Sequence, residues 1–318
     1  MKRRSMISSS AATVAALSFR SAWARSALTH REHRKFTLDL NWGAIGVEAD
    51  QLQAIGYAAK FGFESVSADP RFLSSLDESQ RASLAALMKE KGVRWGAAGL
   101  PVNFRQDESR FQQDLKKLPA ISSSMQLAGV TRVGTWLSPC HNELTYMANF
   151  RQHARRLKAC VRILADHGQS FGMEYVGPKT LWASKRHSFI HSMRETKDLI
   201  AEIGENNVGF VLDSWHWYTA HETVEDLRTL KNQDIIACDL NDAPAGLAID
   251  EQIDNQRELP AATGVIDLKM FLGFLIEIGY DGPVRAEPFN AKLRDMGNDD
   301  ACRTTSDALT KAFSLVSK

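Results

Sequence analysis

Four short apolar runs each deliver an acidic side chain just where the run gives way to turn-forming residues. FGMEYVGPKT (171–180) presents Glu174, FVLDSWHWY (210–218) Asp213, ACDLND (237–242) Asp239, and PVRAEPFN (283–290) Glu287. Carboxylates at four consecutive strand ends point to one site. Each member of such a cluster raises the cost of ionising its neighbours, and a divalent cation is the usual remedy.

The segments that must position these acids alternate between strand-like and helix-like along the chain. Strand-like runs fall at 36–41, 63–69, 93–99 and 130–136, followed by four that end on Glu174, Asp213, Asp239 and Glu287. Helical spacing falls between them, at 49–60, from Asp77 to Gly92, and at 107–127, where Pro119 is expected to disturb it. It recurs at 144–167, 189–203, 224–230, 267–278 and 300–316. Eight strand-then-helix units without a composition break predict a single (β/α)8 TIM barrel, class α/β. The first turn, NWGAIG, lacks the GxGxxG fingerprint of a dinucleotide-binding open sheet. In such a barrel the carboxyl ends of the strands carry the active site, and all four acids fall there.

Strand alternation places Gly172, Val211, Ala237 and Arg285 one layer below the acids. Three of these are small or apolar, as a filled barrel requires. Arg285 needs a buried carboxylate partner, for which Asp239 and Glu287 are the candidates.

Of 318 residues, 39 are Lys or Arg and 38 Asp or Glu, a net charge of +1 that points to neither nucleic acid nor an anionic membrane. Four scattered cysteines without a CxxC pair make no zinc motif or disulfide scaffold. Residues 1–24 read as a removable leader: a basic start with Arg3 and Arg4, an apolar run at 11–19, and Ala22-Trp23-Ala24 as the cleavage site. The paired arginines resemble a twin-arginine signal, which implies a periplasmic or secreted protein. The apolar run is too short for a permanent membrane anchor. A polar linker at 25–35 leads into the barrel, 36–318.

Taken together, MEYVGPKT (173–180), LDSWHWYTA (212–220), LNDAP (240–244), the long loop DEQIDNQRELPAATGVID (250–267) and AEPF (286–289) resemble one family in order and spacing. It is the sugar phosphate isomerase/epimerase group of xylose isomerase-like TIM barrels, in the AP endonuclease 2 superfamily, and the likeness runs over roughly residues 36–317. The resemblance implies a divalent metal held by Glu174, Asp213, the seventh-strand residue and Glu287. That seventh-strand residue is usually histidine and here is Asp239. Magnesium, manganese, zinc or cobalt would serve, and the extra carboxylate favours magnesium or manganese. Alternatively, Asp239 pairs with Arg285 and the metal is weakened or lost.

The chemistry so implied is proton abstraction beside a carbonyl, with Glu174 and Glu287 as general base and acid and the metal stabilising the enediolate. His216 resembles the family's substrate-contacting histidine, and Arg257 an arginine of the seventh loop that contacts substrate oxygens. The residues themselves add Lys179, His141 with Glu143, and Trp215 with Trp217 and Trp182 as expected substrate contacts. Asp242 either orients Arg257 or caps its loop. The expectation is a metal-dependent sugar isomerase or epimerase that takes a small sugar or keto-sugar and binds no nucleic acid, with a homo-oligomer left open. The alternatives are a keto-sugar lyase or dehydratase of 3-keto-glycoside or inosose type, and a metal-free carbohydrate-binding barrel.

Overall fold

The structure is a computed structural model that describes residues 34–317. The expected leader and nearly all of the linker lie outside the described residues. The eight barrel strands are β1 (Thr37–Leu40), β2 (Ser65–Ala68), β3 (Arg94–Gly99), β4 (Arg132–Trp136), β5 (Ser170–Glu174), β6 (Val208–Asp213), β7 (Ile235–Asp239) and β8 (Pro283–Arg285). They close in sequence order, β1 pairing with both β2 and β8, and every barrel pair is parallel. The helices of the outer ring are α1 (Gln51–Lys60), α2 (Glu78–Lys91), α3 (Glu108–Leu127), α4 (Tyr146–Asp166), α5 (Met193–Ile203), α6 (Val224–Leu227), α7 (Leu268–Glu277) and α8 (Asn298–Ser314). The eight predicted units are therefore present.

Local chemistry sets the helix ends. Asp50 and Asp77 make capping boxes with Gln53 and Gln80, and the side chains of Asp107, Ser192 and Asp267 accept backbone N–H groups at the starts of α3, α5 and α7. Gly92 and Gly204 end α2 and α5 in the left-handed conformation. Contrary to expectation, α3 runs unbroken through Pro119. Phe111, Leu118, Ser122 and Met125 keep one buried face on both sides of the proline, so packing offsets the single lost backbone bond. A two-stranded antiparallel ribbon, Cys140–His141 with His187–Ser188, joins the loops after β4 and β5. Among the described residues no helix is long and apolar enough to cross a membrane.

Most of the core belongs to one large cluster, and Ala97, Val211 and Ala237 form a separate small apolar cluster on the barrel strands. Small residues there leave room for charge. A side chain at Gly96 would bring its Cβ within 2.2 Å of Asp39 Oδ1, so only glycine admits the β1 carboxylate. Burial pushes Asp39 up to about 6, partly offset by the Ser65 hydroxyl and by Arg285.

One buried ring outside the barrel makes the fold pH-sensitive. His153 on α4 donates from Nδ1 to Asn149 O at 3.0 Å, while its Nε2 has no partner among the described residues. The ring packs 5.4 Å from Phe104 and 4.8 Å from Phe189. Burial, with the nearby charges of Arg105, Arg156 and His141, pushes its pKa down to about 4 from 6.5. The unfolded chain therefore takes up a proton that the native state refuses, and stability is lost as pH falls from 6.5 toward 4. Denaturant melts at pH 7.5 and 4.5 should show the native protein losing about 3 kcal/mol more than His153→Leu over that interval.

Candidate active site

Each acid sits where its strand stops. Glu174 and Asp213 are the last residues of β5 and β6 and Asp239 the last of β7, while Glu287 lies two residues beyond β8. Asp213 is fixed from three sides. Its Oδ1 accepts the Trp215 N–H at 2.7 Å, Asn241 Nδ2 reaches both oxygens at 3.2 Å, and Arg257 Nη1 donates to Oδ2 at 2.8 Å. Asn241 Oδ1 in turn accepts the Glu287 backbone N–H at 2.9 Å, so one amide side chain sets two of the acids. Glu174 is only 7% exposed, and its Oε1 has no hydrogen-bond partner among the described residues.

Arg285 is not a layer below the acids. It lies in register with Asp239 and grips it in a fork, Nε to Oδ1 at 2.7 Å and Nη2 to Oδ2 at 3.1 Å. The β8 strand ends at Arg285, so the inward alternation expected up to Glu287 does not continue. Of the two partners foreseen for Arg285, Asp239 is the one hydrogen-bonded.

These residues form two overlapping groups whose ligand atoms lie within 4.8 Å of one another: Glu174 with Asp239 and Glu287, and Glu174 with Asp213 and His216. The histidine distinguishes them. The Gly177 N–H donates to His216 Nδ1 at 3.2 Å, an approach only glycine permits, since a Cβ there would fall 2.5 Å from His216 O. Nε2 lies 3.9 Å from both Glu174 Oε1 and Asp213 Oδ2 and 3.1 Å from Arg257 Nη2, so donors approach both ring nitrogens. Burial and Arg257 hold the ring well below its usual pKa, hence neutral. A metal-ligating histidine gives its second N–H to an acceptor, and this ring does the opposite. The carboxylate set fits a divalent cation better than the histidine set.

The charges agree. Against four carboxylates stand two buried guanidiniums, Arg257 and Arg285, so with all four ionised two negative charges remain to be met by protons or a cation. Burial, then Glu287, Asp239 and Asp213, push Glu174 well up, with Arg257 opposing. Burial and Asp239 push Glu287 up to about 8, and burial lifts Asp213 to about 6 against the pull of Arg257. A cluster that turns to protons for relief is one that oxygen-seeking cations suit.

Beside the acids opens a cavity of about 370 Å³ whose lining includes Trp42, Trp136, Glu174, Val211, Arg285 and Glu287. The indoles are not those expected. Trp215 is 0% exposed, beneath the Arg257 guanidinium at 4.9 Å, and Trp217 is buried against Phe271. Trp215 and Trp217 follow a strand end, but the short helix Ser214–Thr219 turns them into the core. Trp42 and Trp136 also follow or end strands, and the strand-end rule that selected the acids would have selected them. Arg105 was missed too. Its guanidinium lies 4.1 Å over Trp136, donates to Thr135 Oγ1 at 3.0 Å and feels Glu174.

Lys179 and His141 are not among the cavity's lining residues. Lys179 pairs at 2.6 Å with Asp250, and His141 Nδ1 accepts the backbone N–H groups of Glu143 and Leu144, closing its own turn. Asp242 caps the long loop, accepting from Thr263, Gly264 and Ile266 N–H at 2.7–3.1 Å. Arg257, by contrast, is brought into the centre.

A family model for the xylose isomerase-like TIM barrel matches residues 55–312. The chain belongs to that family. An inosose isomerase of Bacillus velezensis is 22% identical over 236 residues, covering 73% of this chain and 80% of that protein. The match to the inosose isomerase of Bacillus subtilis, 27% identical, spans 48% of this chain and only about half, 53%, of the relative's length. Among solved structures, a xylose isomerase domain protein from Alicyclobacillus acidocaldarius superposes with TM-score 0.77 at 29% identity, covering 88% of this chain and 98% of that one. A D-psicose 3-epimerase solved in the presence of D-fructose gives 0.66 at 14%, covering 85% and 95%. An IolI protein solved with a bound zinc atom gives 0.72 at 18%, covering 88% and 98%. These last two likenesses concern the fold.

Within this xylose isomerase-like barrel, the Asp239–Arg285 fork has a measurable cost of disruption. Arg285→Met strands a buried carboxylate and is expected to lose about 3–5 kcal/mol. Arg285→Met with Asp239→Leu should recover most of that loss, read by urea denaturation in the presence of chelator.

Proposed function

We propose that this barrel is a divalent-metal-dependent sugar isomerase or epimerase that removes a proton next to the carbonyl of a small sugar or keto-sugar. One observation carries the reading: Glu174, Asp239 and Glu287 bring carboxylate oxygens within 4.8 Å of one another at the edge of the cavity, and Glu174 Oε1 is left without a hydrogen bond. Membership of the family supports it, as do relatives whose names are inosose isomerase and D-psicose 3-epimerase.

Glu174, Asp213, Asp239 and Glu287 would hold the ion, with Asp239 keeping its fork to Arg285 through its remaining lone pairs. An all-carboxylate set favours magnesium or manganese. When bound, the ion supplies Lewis-acid polarisation of the substrate carbonyl. Glu174 and Glu287 exchange the roles of base and acid, one taking the proton and the other returning it. Mutual repulsion favours one protonated and one ionised member, the arrangement such a pair needs. His216 offers its Nε2–H to a substrate oxygen, and the exposed indole of Trp136, at 48%, gives an apolar face to a sugar ring. Trp42 supplies a second such face. The twin-arginine-like start is consistent with work outside the cytoplasm.

The fork on Asp239 favours one other reading, a metal-free sugar-binding barrel, although that leaves Glu174 Oε1 unsatisfied. Incubating candidate keto-sugars and inososes with manganese-loaded protein in D2O separates the readings. Deuterium is expected at the carbon next to the carbonyl, with Glu174→Gln and Glu287→Gln slower by about 10²–10⁴-fold and chelator abolishing exchange. Loss of water from the sugar would mark a lyase instead. Sugar binding without exchange, unchanged in Glu174→Gln, would overturn the enzyme.

A further inference from the structure

We propose that Arg257 is the resident counter-ion of the acid cluster and that it gives way to the divalent cation, so that the two occupy the centre in turn. The proposal rests on the metal reading above and goes beyond it, because it concerns what fills the site when no metal does.

Arg257 lies on the loop between β7 and α7, yet it is 2% exposed. Nη1 donates to Asp213 Oδ2 at 2.8 Å and to Glu287 O at 3.2 Å, and lies 3.7 Å from Glu287 Oε2. Asp213 Oδ1 is already committed to the Trp215 N–H, so Oδ2 is the oxygen that a cation in the centre would use. An ion bound there sits about 2.0–2.6 Å from that oxygen. A guanidinium nitrogen holding the same oxygen at 2.8 Å would place two positive centres in near contact in a buried site, where their repulsion is poorly screened. Unlike Arg285, which pairs with Asp239 alone among the four acids, Arg257 Nη1 stands between Asp213 and Glu287, the space that an ion joining these acids would take.

The contact with His216 also favours departure. Arg257 Nη2 lies 3.1 Å from His216 Nε2. Donors therefore approach both ring nitrogens, the Gly177 N–H at Nδ1 and the guanidinium at Nε2, and a neutral imidazole can accept only one of them. Withdrawal of the guanidinium removes this conflict and frees Nε2 for another partner.

The backbone at the arginine stays pinned, Arg257 N–H to Pro288 O at 3.2 Å and Glu258 bridged to Asp242, so withdrawal is a movement of the side chain and of the segment before it. Asp242 holds one end through the amides of Thr263, Gly264 and Ile266. Gln252 holds the other, its O accepting from Thr180 Oγ1 at 2.6 Å and its Nε2 donating to Pro244 O at 3.2 Å. Between these anchors, Asp254 accepts from Arg257 Nη2 at 2.9 Å through Oδ1 and from Nε at 2.9 Å through its backbone O. The guanidinium therefore leaves with a carboxylate of its own and needs no new partner. Two non-glycine residues near it hold positive φ, Ala261 at 57° and Phe289 at 46°, the latter with its ring 4.8 Å from the guanidinium.

The test titrates the full chain, stripped of metal, with manganese alone and reads free manganese by electron paramagnetic resonance, for native protein, Arg257→Lys and Arg257→Met. Hydrogen exchange is followed by mass spectrometry with and without manganese. Manganese should raise amide exchange over 253–256 in the native protein while leaving 268–277 unchanged. Arg257→Met should bind manganese at least tenfold more tightly than native, with Arg257→Lys between them. Equal affinities, or loop exchange that is unchanged or slowed by manganese, would overturn the proposal and leave the metal reading intact. No manganese binding by any of the three would overturn both. The native-protein exchange measurement stands even if Arg257→Met fails to fold.

Discussion

The structure turns on one electrostatic constraint: four carboxylates crowd the mouth of a barrel from which water is largely shut out. Like charges in such a place must be neutralised by protons, by cations or by both. The chain supplies two guanidiniums, each matched to one acid, Arg285 to Asp239 and Arg257 to Asp213. That leaves Glu174 and Glu287, whose carboxyls burial pushes upward, as the pair with unmet charge. The two acids that lack a guanidinium of their own are also the two proposed above for proton transfer.

The fold serves this arrangement by keeping its interior small. Gly96 gives way to Asp39, Gly177 lets a backbone amide reach His216, and Ala97, Val211 and Ala237 form a small apolar cluster apart from the main core. Charged groups that most barrels exclude from their strands are thereby admitted in a row across β1, β7 and β8. The fork between Asp239 and Arg285 joins neighbouring strands in register, so the departure at Asp239 from the usual histidine is accompanied by its own compensation. The proposed ligand set and the strand pairing are then parts of one network.

Much of this was legible in the sequence because it depends on local rules. Period-two and period-3.6 patterns with Asp caps and Gly stops located all eight units, and a carboxylate at a strand end falls at the barrel mouth whatever the loops do. What depended on loop conformation was not legible. Trp215 was expected in the site and lies in the core because a six-residue helix begins at Ser214. Lys179 and His141 follow strand ends as the acids do, but each is drawn aside by a neighbour, Asp250 or its own turn. Trp42 and Trp136 were passed over in favour of tryptophans flanking a motif. Arg257 was placed near substrate, and nothing in its spacing announced that the loop would bury it against Asp213. The alternation that put Arg285 a layer down assumed a strand reaching Glu287, and β8 stops earlier.

The central claim is that the carboxylates, with Asp239 still forked to Arg285, form a site for one divalent cation. Anomalous diffraction from a manganese-soaked crystal tests it most directly. The account predicts one peak within about 2.6 Å of oxygens from Glu174 and Glu287. A centre without a peak, with the Arg257 guanidinium still seated on Asp213 at saturating manganese, would contradict it, as would an ion held through His216 Nε2.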